Sequence, residues 1–316
     1  MTTLLFTHEA CLDHLVPEGH PEVPARLEAI EKALSEPEFQ TLVRKTAPLA
    51  TPAQLMRVHP ERYVEKIMAA MPSSGFYSFD PDTPASPGTR EAVLRAAGAV
   101  VAAVDDVMTG VAQNAFCAVR PPGHHAEPER AMGFCFFNAV AIGALHAHAV
   151  HGAARVAVVD FDVHHGNGTQ AAFWNDPNLF YASSHQAPFY PGTGGLSQTG
   201  RHGQGNIVNA PLEAGSGAAA FQQAWEGRIL PALDAFDPDF ILISAGFDAH
   251  KADPLGGLNL SEEDFAWVTE ALSAVAARRC GGRVVSVLEG GYDLPALAAS
   301  VAAHVSVLMT ARVALF

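Results

Sequence analysis

The sequence predicts an α/β protein with a single, mostly parallel β-sheet that carries helices on both faces. Short β-branched and aromatic runs alternate with longer alanine-rich stretches of helical spacing, which is typical of a parallel sheet. Apolar residues make up 49% of the 316 residues and charged residues only 16%, so a large core can form. Because no low-complexity linker divides the chain, we expect one domain over residues 1–316.

Six runs rich in β-branched and aromatic residues are predicted to be strands. In chain order they cover residues 4–7, 115–119, 156–160, 179–183, 240–244 and 284–288. Loops rich in glycine and proline follow several of them, at 120–133, 166–169, 186–205, 247–257 and 290–292. In an open α/β sheet the ligand site lies beyond the carboxyl ends of the strands, so these loops should form one crevice.

Helices are predicted between the strands, near residues 24–34, 90–108, 138–150, 218–236, 262–279 and 294–316. Ser261 followed by Glu263 and Asp264 is typical of a capped helix start. The last segment is long and apolar enough to cross a bilayer. Because its large side chains recur at three- and four-residue steps with small residues between them, we expect a packed core helix instead.

Charge and cysteine usage narrow the class of protein. A formal net charge of −14 with only four lysines would repel a phosphate backbone, so we expect no nucleic-acid binding. The acidic surface would suit a cationic partner, although such a balance is more often a solubility feature. Four widely spaced cysteines without a C-x-x-C pair argue against a disulfide framework. The first residues lack an export-type segment, so we expect a cytoplasmic protein without membrane attachment.

Ionisable side chains at the end of the predicted strand 156–160 indicate a metal site. If the extended conformation continues past Asp160, then Asp160, Asp162 and His164 project to the same side. Asp248 follows another predicted strand and is the expected third ligand, with His250 as its rival. Carboxylates with an imidazole suit Zn²⁺ or Fe²⁺, and three protein ligands leave one position open, as catalytic sites do.

A histidine pair follows the predicted strand 115–119 in the segment RPPGHHA (120–126). The Pro-Pro-Gly turn can bring His124 and His125 to one pocket, where Asp160 would hold one imidazole and Asn167 the other. A carboxylate partner favours the charged imidazole, whereas a neutral amide leaves the other free to exchange a proton. Taken alone, such a pair is more often a surface feature.

The segment EGGYD (289–293) follows the predicted strand 284–288. Tyr292 on a Gly-Gly loop can aim its hydroxyl at a bound carbonyl and stabilise a developing oxyanion. The alternative is a helix start that Asp293 caps, with Tyr292 packed beside it. Both interpretations can hold at once.

Together these segments resemble the histone deacetylase family, especially its class II enzymes and the bacterial acetylpolyamine amidohydrolases. The matching segments are HPEVPARL (20–27), RPPGHHA (120–126), GFCFFNAVA (133–141), DFDVHHGNGTQ (160–170), FYPGTG (189–194), SAGFDAHKADPLGG (244–257) and EGGYD (289–293). They extend over nearly the whole chain. The resemblance implies the arginase-like α/β sandwich of that family, with a mostly parallel sheet of about eight strands.

The resemblance also implies a role for each candidate residue. The zinc ligands would be Asp162, His164 and Asp248, and the residues that move protons or stabilise charge would be His124, His125, Asp160, Asn167 and Tyr292. His125 would be the general base and then the general acid, and Asp160 would orient His124. Asn167 stands where class II enzymes have asparagine and class I enzymes have aspartate.

A monovalent cation beneath the metal is a further implication of the resemblance. The positions that match its site are Asp160, Asp162, His164, Ser183 and Ser184, and potassium there would moderate the charge of the aspartates. A second cation site near Phe173, Asp176 and Leu179 is also compatible with the resemblance.

The resemblance implies a tunnel for the acylated chain, lined by Gly133, Phe134, Tyr190 and Leu255, with Asp82 as a hydrogen-bond acceptor at its rim. Polyamine-selective relatives of class II have an acidic residue where this chain has Leu255. An opposite charge near 4 Å contributes about 1 to 4 kcal/mol, which leucine does not supply. We therefore expect a zinc-dependent deacylase that releases acetate from N-acetyl-lysine in a protein, a peptide or a small molecule.

Three other functions remain open from the sequence. An N-acetylpolyamine amidohydrolase is the main alternative, because the rim candidates Asp80, Asp82, Glu127 and Glu129 are acidic and a homo-oligomer would also narrow the tunnel. A silent acyl-lysine reader would keep the pocket without turnover. An arginase-type ureohydrolase would need ligands for two manganese ions, and the single predicted ligand set does not offer them.

Overall fold

The computed structural model describes residues 2–311. Its strands are β1 Thr3–Thr7, β2 Val43–Thr46, β3 Tyr77–Ser78, β4 Pro84–Ala85, β5 Asn114–Cys117, β6 Val156–Asp160, β7 Leu179–Gln186, β8 Ile207–Leu212, β9 Phe240–Ala245 and β10 Val284–Leu288. Eight of them form one sheet in the order β2-β1-β5-β10-β9-β6-β7-β8, and every neighbouring pair is parallel. Strands β3 and β4 form a separate antiparallel pair. The predicted fold class is confirmed.

All six predicted strands are present: β6 and β10 have the predicted bounds, and the ends of the other four differ by at most three residues. Strand β5 ends at Cys117 rather than at residue 119, and β7 continues to Gln186 rather than ending at residue 183. Strands β2 and β8, which are the two edges of the sheet, were not predicted from the sequence. Most of β2 is exposed to solvent, and β8 contains Pro211, so neither reads as a buried hydrophobic run.

The helices are α1 Ala25–Ala33, α2 Pro52–Leu55, α3 Glu61–Ala69, α4 Thr89–Met108, α5 Ala139–His151, α6 Asn167–Phe173, α7 Ala218–Ala224, α8 Leu230–Phe236, α9 Glu262–Arg279 and α10 Leu294–Thr310. The predicted capping box at the start of α9 is present, with Ser261 and Asp264 bonded reciprocally. Short helices α2, α3 and α6 were not predicted. The predicted C-terminal helix extends to residue 316, but residues 312–316 lie outside the described part of the chain.

The predicted helical segment 218–236 is present, and it contains one irregular turn. A turn of π-helix at Trp225–Ile229 separates α7 from α8. Pro231 is the second residue of α8. Proline has no N–H to bond four residues back and its ring clashes with that carbonyl, so the helix widens locally at this point.

Helices cover both faces of the sheet. Leu242 of β9 faces the helix pair α4 and α5, where a side chain at Gly143 would meet it. Its neighbour in register on β10 is Val285, and the next residue, Ser286, contacts His304 of α10. Successive side chains of a strand point to opposite faces, so α4 and α5 lie on one face and α10 on the other.

His304 is a buried polar residue in the apolar helix α10, and both of its ring nitrogens have hydrogen-bond partners. Its Nε2 lies 2.8 Å from the Ser286 hydroxyl and its Nδ1 2.7 Å from that of Thr269. Burial lowers the pKa of His304 to about 3, so the imidazole is neutral. The helix packs in the core as predicted. Within residues 2–311, no helix combines the length and the hydropathy needed to span a bilayer.

Candidate active site

Four adjacent strands deliver the predicted site residues to one edge of the sheet. Strands β5, β10, β9 and β6 are neighbours, and the loops after their carboxyl ends carry the histidine pair, Tyr292, Asp248 and the Asp162/His164 segment respectively. Parallel strands place these ends side by side. The crevice predicted from the loops is therefore present.

The three predicted zinc ligands lie together. Nδ1 of His164 is 3.1 Å from Oδ1 of Asp162 and 3.1 Å from Oδ2 of Asp248. Both aspartates are fully buried, and their other oxygens accept the backbone N–H groups of Gly290 and Val163. These outer hydrogen bonds fix the orientation of each carboxylate, as supporting contacts of metal ligands do.

The backbone between Asp160 and His164 is bent, whereas extended chain was predicted. Strand β6 ends at Asp160, and a bend follows instead of further extended chain. Within the bend Asp160 accepts the N–H of Asp162, and Asp162 accepts the N–H of His164. Short polar side chains that bond their own backbone two residues on favour such turns over strands. The bend still brings Asp162 and His164 together.

Charge within the cluster fits a divalent cation. Burial, reinforced by the neighbouring Asp162, raises the pKa of Asp248 to about 7. Burial opposes the charge of His164, but Asp162 and Asp248 raise the pKa of this histidine to about 10. Two buried carboxylates lie side by side, and their negative charges repel each other. A cation bound by all three side chains would neutralise this charge. The donor set of two oxygens and one nitrogen suits Zn²⁺.

A second group of residues that could bind a metal lies in the C-terminal halves of α4 and α5. Oδ1 of Asp105 is 2.7 Å from Nε2 of His146 and 2.6 Å from Nε2 of His151. Both distances are those of hydrogen bonds from imidazole N–H groups to a shared carboxylate. The donors of the Asp162 cluster are farther apart, so it is the better fit to a metal ion.

The two predicted proton-transfer histidines have different partners. Nδ1 of His124 lies 3.0 Å from Oδ2 of Asp160, whereas Nδ1 of His125 lies 2.8 Å from Oδ1 of Asn167. The two imidazole rings are 4.0 Å apart between centroids. The structure thus brings together the four residues that the sequence analysis paired.

These partners give the two imidazoles opposite protonation behaviour. Burial opposes the charge of His124, but Asp162 and Asp160 raise its pKa to about 10. Burial and the positive charge of His124 lower the pKa of His125 well below its ordinary value. At neutral pH His124 therefore carries the proton and His125 is free to accept one.

Asp160 is held by more than the histidine. The buried hydroxyl of Tyr181 donates to Oδ2 of Asp160 at 3.0 Å, and it accepts the N–H of Gly166 at 2.9 Å. Tyr181 was not predicted as a site residue, because a tyrosine inside a hydrophobic strand is most simply a core residue. Its contact with Asp160 depends on the register of β6 against β7.

Tyr292 lies on the wall of the pocket and is half-buried. Its N–H donates to Asp253 at 2.6 Å, and Asp293 caps α10 by accepting the N–H of Ala296, so the helix-start interpretation of this segment is confirmed. The guanidinium of Arg26 lies 4.8 Å from the centre of the Tyr292 ring. Burial raises the pKa of Tyr292 well above its ordinary value, so the hydroxyl remains a hydrogen-bond donor.

A buried charge network beneath Tyr292 was missed at the sequence level. Arg26 donates to the carbonyl oxygens of Gly291 and Glu289, both at 2.6 Å, and to Glu22 at 2.8 Å. Arg120 also donates to both oxygens of Glu22. The signal was available, because charged residues stand inside the segments HPEVPARL and RPPGHHA, but neither their burial nor their pairing is visible there.

Glu289 is a second residue whose role the sequence did not reveal. Its carboxylate accepts the N–H groups of Gly123 and His124, at 2.7 and 3.1 Å, and the hydroxyl of Ser244. Burial raises the pKa of Glu289 to about 7. The side chain therefore fixes the loop that carries the histidine pair.

The site opens into a cavity of about 190 Å³. Its lining residues are Asp82, Pro122, His124, His125, Gly133, Phe134, His164, Phe189, Tyr190, Leu255, Gly290 and Tyr292. All five predicted tunnel residues are among them. Phe189 was not predicted, although its ring stacks on that of His164 at 5.3 Å between centroids. The histidine pair and His164 lie at the polar end of an otherwise largely apolar channel.

Two features favour glycine at residue 133: its backbone conformation and the close approach of His125. Its φ of +58° belongs to the left-handed region, and a Cβ there would lie 2.5 Å from Cδ2 of His125. A side chain would therefore displace His125, in addition to narrowing the channel as predicted. Asp82 holds this residue in place by accepting its N–H at 3.2 Å.

The other acidic and polar candidates lie at varied positions. Glu127 accepts a hydrogen bond from the Asn167 amide, and the exposed Glu129 pairs with Arg62. Neither lines the cavity. His250 does not join the three ligands, since its Nδ1 accepts the N–H of Ala252. This contact agrees with a structural role for His250.

The residues of the implied potassium site surround the ends of β6 and β7. Asp160 pairs in register with Ser183, and Asp162 and His164 follow in the bend. The Ser183 hydroxyl lies 2.9 Å from Nδ1 of His185, and the Ser184 hydroxyl accepts a hydrogen bond from Trp225. Both serines are buried.

Comparisons with known proteins agree with this geometry. Residues 20–308 match the model of the histone deacetylase domain. The chain belongs to the histone deacetylase family. It is 42% identical to histone deacetylase 14, chloroplastic, of Arabidopsis thaliana over 95% of this chain and 75% of the relative. It is 41% identical to the histone deacetylase-like amidohydrolase of Pseudomonas aeruginosa over 87% of this chain and 73% of the relative.

The histone deacetylase fold is shared as well. The crystal structure of the HDA15 HD domain superposes with a TM-score of 0.92 at 37% identity, covering 98% of this chain and 88% of that one. The resemblance noted in the sequence is thus confirmed. The protein is a histone deacetylase-family hydrolase with the arginase-like sandwich of that family.

Proposed function

We propose that this protein is a zinc-dependent deacylase that hydrolyses the amide of N-acetyl-lysine, in a protein, a peptide or a small molecule, and releases acetate. One observation carries the proposal. A neutral histidine, a tyrosine hydroxyl and a three-residue metal-binding cluster converge at the polar end of one narrow, largely apolar channel. That arrangement suits a linear chain with an amide at its end.

Asp162, His164 and Asp248 would hold the metal. The donor set and the shared negative charge of the two carboxylates support Zn²⁺, and Fe²⁺ would suit the same ligands. When bound, the ion would supply a Lewis acid that polarises the amide and acidifies water. The backbone N–H groups of Gly290 and Val163 donate to Asp162 and Asp248 and hold the two carboxylates in position for the ion.

His125 is the proposed general base. Its pKa is lowered by burial and by the charged His124, and Asn167 fixes Nδ1, which leaves Nε2 for the attacking water. The same imidazole, once protonated, delivers the proton to the leaving amine. His124 stays charged beside Asp160 and stabilises negative charge in the site.

Tyr292 is the proposed oxyanion donor. Its hydroxyl stays protonated in the buried site and lies on the cavity wall with the histidine pair. It would donate to the substrate oxygen as that atom gains negative charge. Arg26 holds the backbone on both sides of Gly290 and thereby the position of the ring.

The channel favours acyl-lysine over acylated polyamines. Leu255 lies on the lining where a carboxylate would bind a second ammonium group. The N-acetylpolyamine amidohydrolase alternative rests on Asp82, which also lines the cavity and has its partner Asp80 close by. We further propose that a potassium ion moderates the charge of Asp160 and Asp162 near Ser183 and Ser184.

A side-by-side assay tests the proposal. The measurement is kcat/KM for an acetyl-lysine peptide and for N-acetylated putrescine and spermidine, after chelator treatment and after zinc addition. We expect zinc-dependent turnover with preference for the peptide, and loss of turnover in Asp248→Ala. Preference for the polyamines supports the alternative. Peptide binding without zinc-dependent turnover on either substrate class would identify a silent reader and contradict the proposed enzyme.

A further inference from the structure

Three backbone carbonyl groups converge between α6 and β7. Nδ2 of Asn206 lies 3.0 Å from the carbonyl oxygens of Phe173, Asp176 and Leu179 alike. An amide NH₂ group has two hydrogens, so it cannot make three independent hydrogen bonds. One nitrogen in equal contact with three oxygens is instead the arrangement in which a hard cation is held by carbonyl ligands.

The turn after α6 creates this arrangement. Asp176 donates its N–H back to Phe173, and Leu179 donates its N–H back to Asp176, so successive tight turns aim the carbonyl groups inward. The side chain of Asp176 does not take part, because it accepts the N–H of Asn178. The convergence is therefore made by the main chain alone.

The orientation of the Asn206 amide is fixed by this environment. Exchanging its oxygen and nitrogen would place Oδ1 against three carbonyl oxygens and would be repulsive. Among the described residues, none donates a hydrogen bond to Oδ1. The three contacts of the nitrogen thus hold a side chain whose oxygen is buried without a donor, which costs free energy.

Gly200 is matched to this side chain. A Cβ at residue 200 would lie 2.0 Å from Oδ1 of Asn206, and the φ of +92° at Gly200 is unfavourable for any other residue. The main-chain oxygen of Asn206 is used by the N–H of Tyr181 in the sheet. The loop therefore leaves room for the amide and for little else.

We propose that Asn206 replaces a monovalent cation at this position. The resemblance to the family allowed a second cation site at Phe173, Asp176 and Leu179, but the carbonyl groups that would form it are taken by the amide nitrogen. The NH₂ group supplies the partial positive charge that the oxygens require. This part of the fold consequently does not depend on potassium.

The replacement bears on the active site through α6. This helix ends at Phe173, which contacts Asn206, and begins at Asn167, which contacts His125. An ion would make the position of the helix depend on salt composition. A covalently attached amide makes the helix position independent of potassium at this end, so any remaining potassium response comes from elsewhere in the molecule.

Anomalous scattering from rubidium, a potassium analogue, tests the proposal directly. Crystals of the full chain grown with rubidium chloride should show no anomalous peak among the three carbonyl oxygens. Crystals of Asn206→Ala should show one there, because the amide is gone and the carbonyl groups remain. A peak at this position in the parent protein, or no peak in a well-ordered variant, would overturn the proposal.

Thermal unfolding gives a second test that needs no crystals. Tm is measured in potassium chloride and in tetramethylammonium chloride at equal ionic strength. Asn206→Ala should gain about 3 °C or more from potassium beyond the gain of the parent. The matched control is Asn209→Ala, which removes a buried amide on the adjoining strand β8, bonded to Gln170 and Gln198. Equal potassium gains in all three proteins would contradict the replacement.

Discussion

Oδ1 of Asn167 lies 2.8 Å from Nδ1 of His125, so the partner of this imidazole is a neutral amide. Its neighbour His124 has the carboxylate of Asp160 at 3.0 Å instead. The two adjacent histidines differ in charge, because Asp162 and Asp160 raise the pKa of His124 whereas burial and the charged His124 lower that of His125. This asymmetry supports the proton-accepting role proposed for His125.

Giving His125 a carboxylate partner should move the pH dependence of catalysis. Asn167 also donates to Glu127 at 2.8 Å, so the change is made as the double variant Asn167→Asp/Glu127→Gln, which preserves that contact. A carboxylate stabilises the charged imidazole and raises its pKa. We expect the acidic limb of kcat/KM to shift upward by about 1 pH unit or more.

Glu127→Gln by itself is the control for this double variant. It changes the outer contact but leaves the amide on His125, so its acidic limb should match that of the parent. An unshifted limb in the double variant would exclude His125 as the group whose protonation limits activity.

Removing the hydroxyl of Tyr292 should slow the chemical step. Tyr292→Phe keeps the ring beside Arg26 but removes the proposed donor to the oxyanion. We expect kcat to fall by about 100-fold or more, with a much smaller change in KM. Tyr190→Phe is the matched control, because Tyr190 lines the same cavity and is partly exposed at its mouth. Similar losses in both variants would argue for a structural effect.

Asp82 should make the binding of cationic substrates depend on pH. Burial and the hydrogen bond with Asp80 raise the pKa of Asp82 to about 6. The carboxylate is therefore charged above pH 6 and becomes neutral as the pH falls below it. We expect KM for N-acetylspermidine to rise by about fivefold between pH 7.5 and pH 5.

The comparison for Asp82 uses a neutral substrate and a neutral variant. KM for N-acetylbutylamine should change little over the same pH range, and Asp82→Asn should remove the extra dependence shown by N-acetylspermidine. A pH response of equal size for both substrates would show that Asp82 does not contact the second cationic group.

Neutralising Glu22 should destabilise the fold. This fully buried carboxylate is paired with Arg26 and Arg120, and burial opposes its charge while Arg120 lowers its pKa. Glu22→Gln leaves two buried guanidinium groups without their counter-charge. We expect the free energy of unfolding in urea to fall by about 3 to 5 kcal/mol. Glu28→Gln, an exposed change nearby on α1, should alter it by about 0.5 kcal/mol or less.

The central strands were predictable from the sequence because they are buried on both faces. Strands β6, β9 and β10 read as continuous hydrophobic runs, and only residues of that kind fit between two layers of helices. The edge strands β2 and β8 form because a neighbouring strand offers hydrogen bonds. Their own sequences are exposed or contain proline, and no local pattern encodes that neighbour.

The chemical groups of the candidate site were likewise predictable from the sequence. Asp162, His164, Asp248, His124, His125 and Tyr292 all follow strand ends, and parallel strands must bring such ends to one edge. The sequence by itself therefore determined the fold class, the central strands and the chemical groups of the candidate site. It also determined the small residues that leave room for them, such as Gly133.

Only the tertiary structure decided which partner each of these groups has. The buried network of Glu22, Arg26 and Arg120, the contact of Tyr181 with Asp160 and the place of Asn206 all join segments far apart in the chain. Hydrogen bonds and desolvation act over a few ångströms, so protonation states depend on distances that strand order and register set. The sequence supplies the groups, and packing sets their charge.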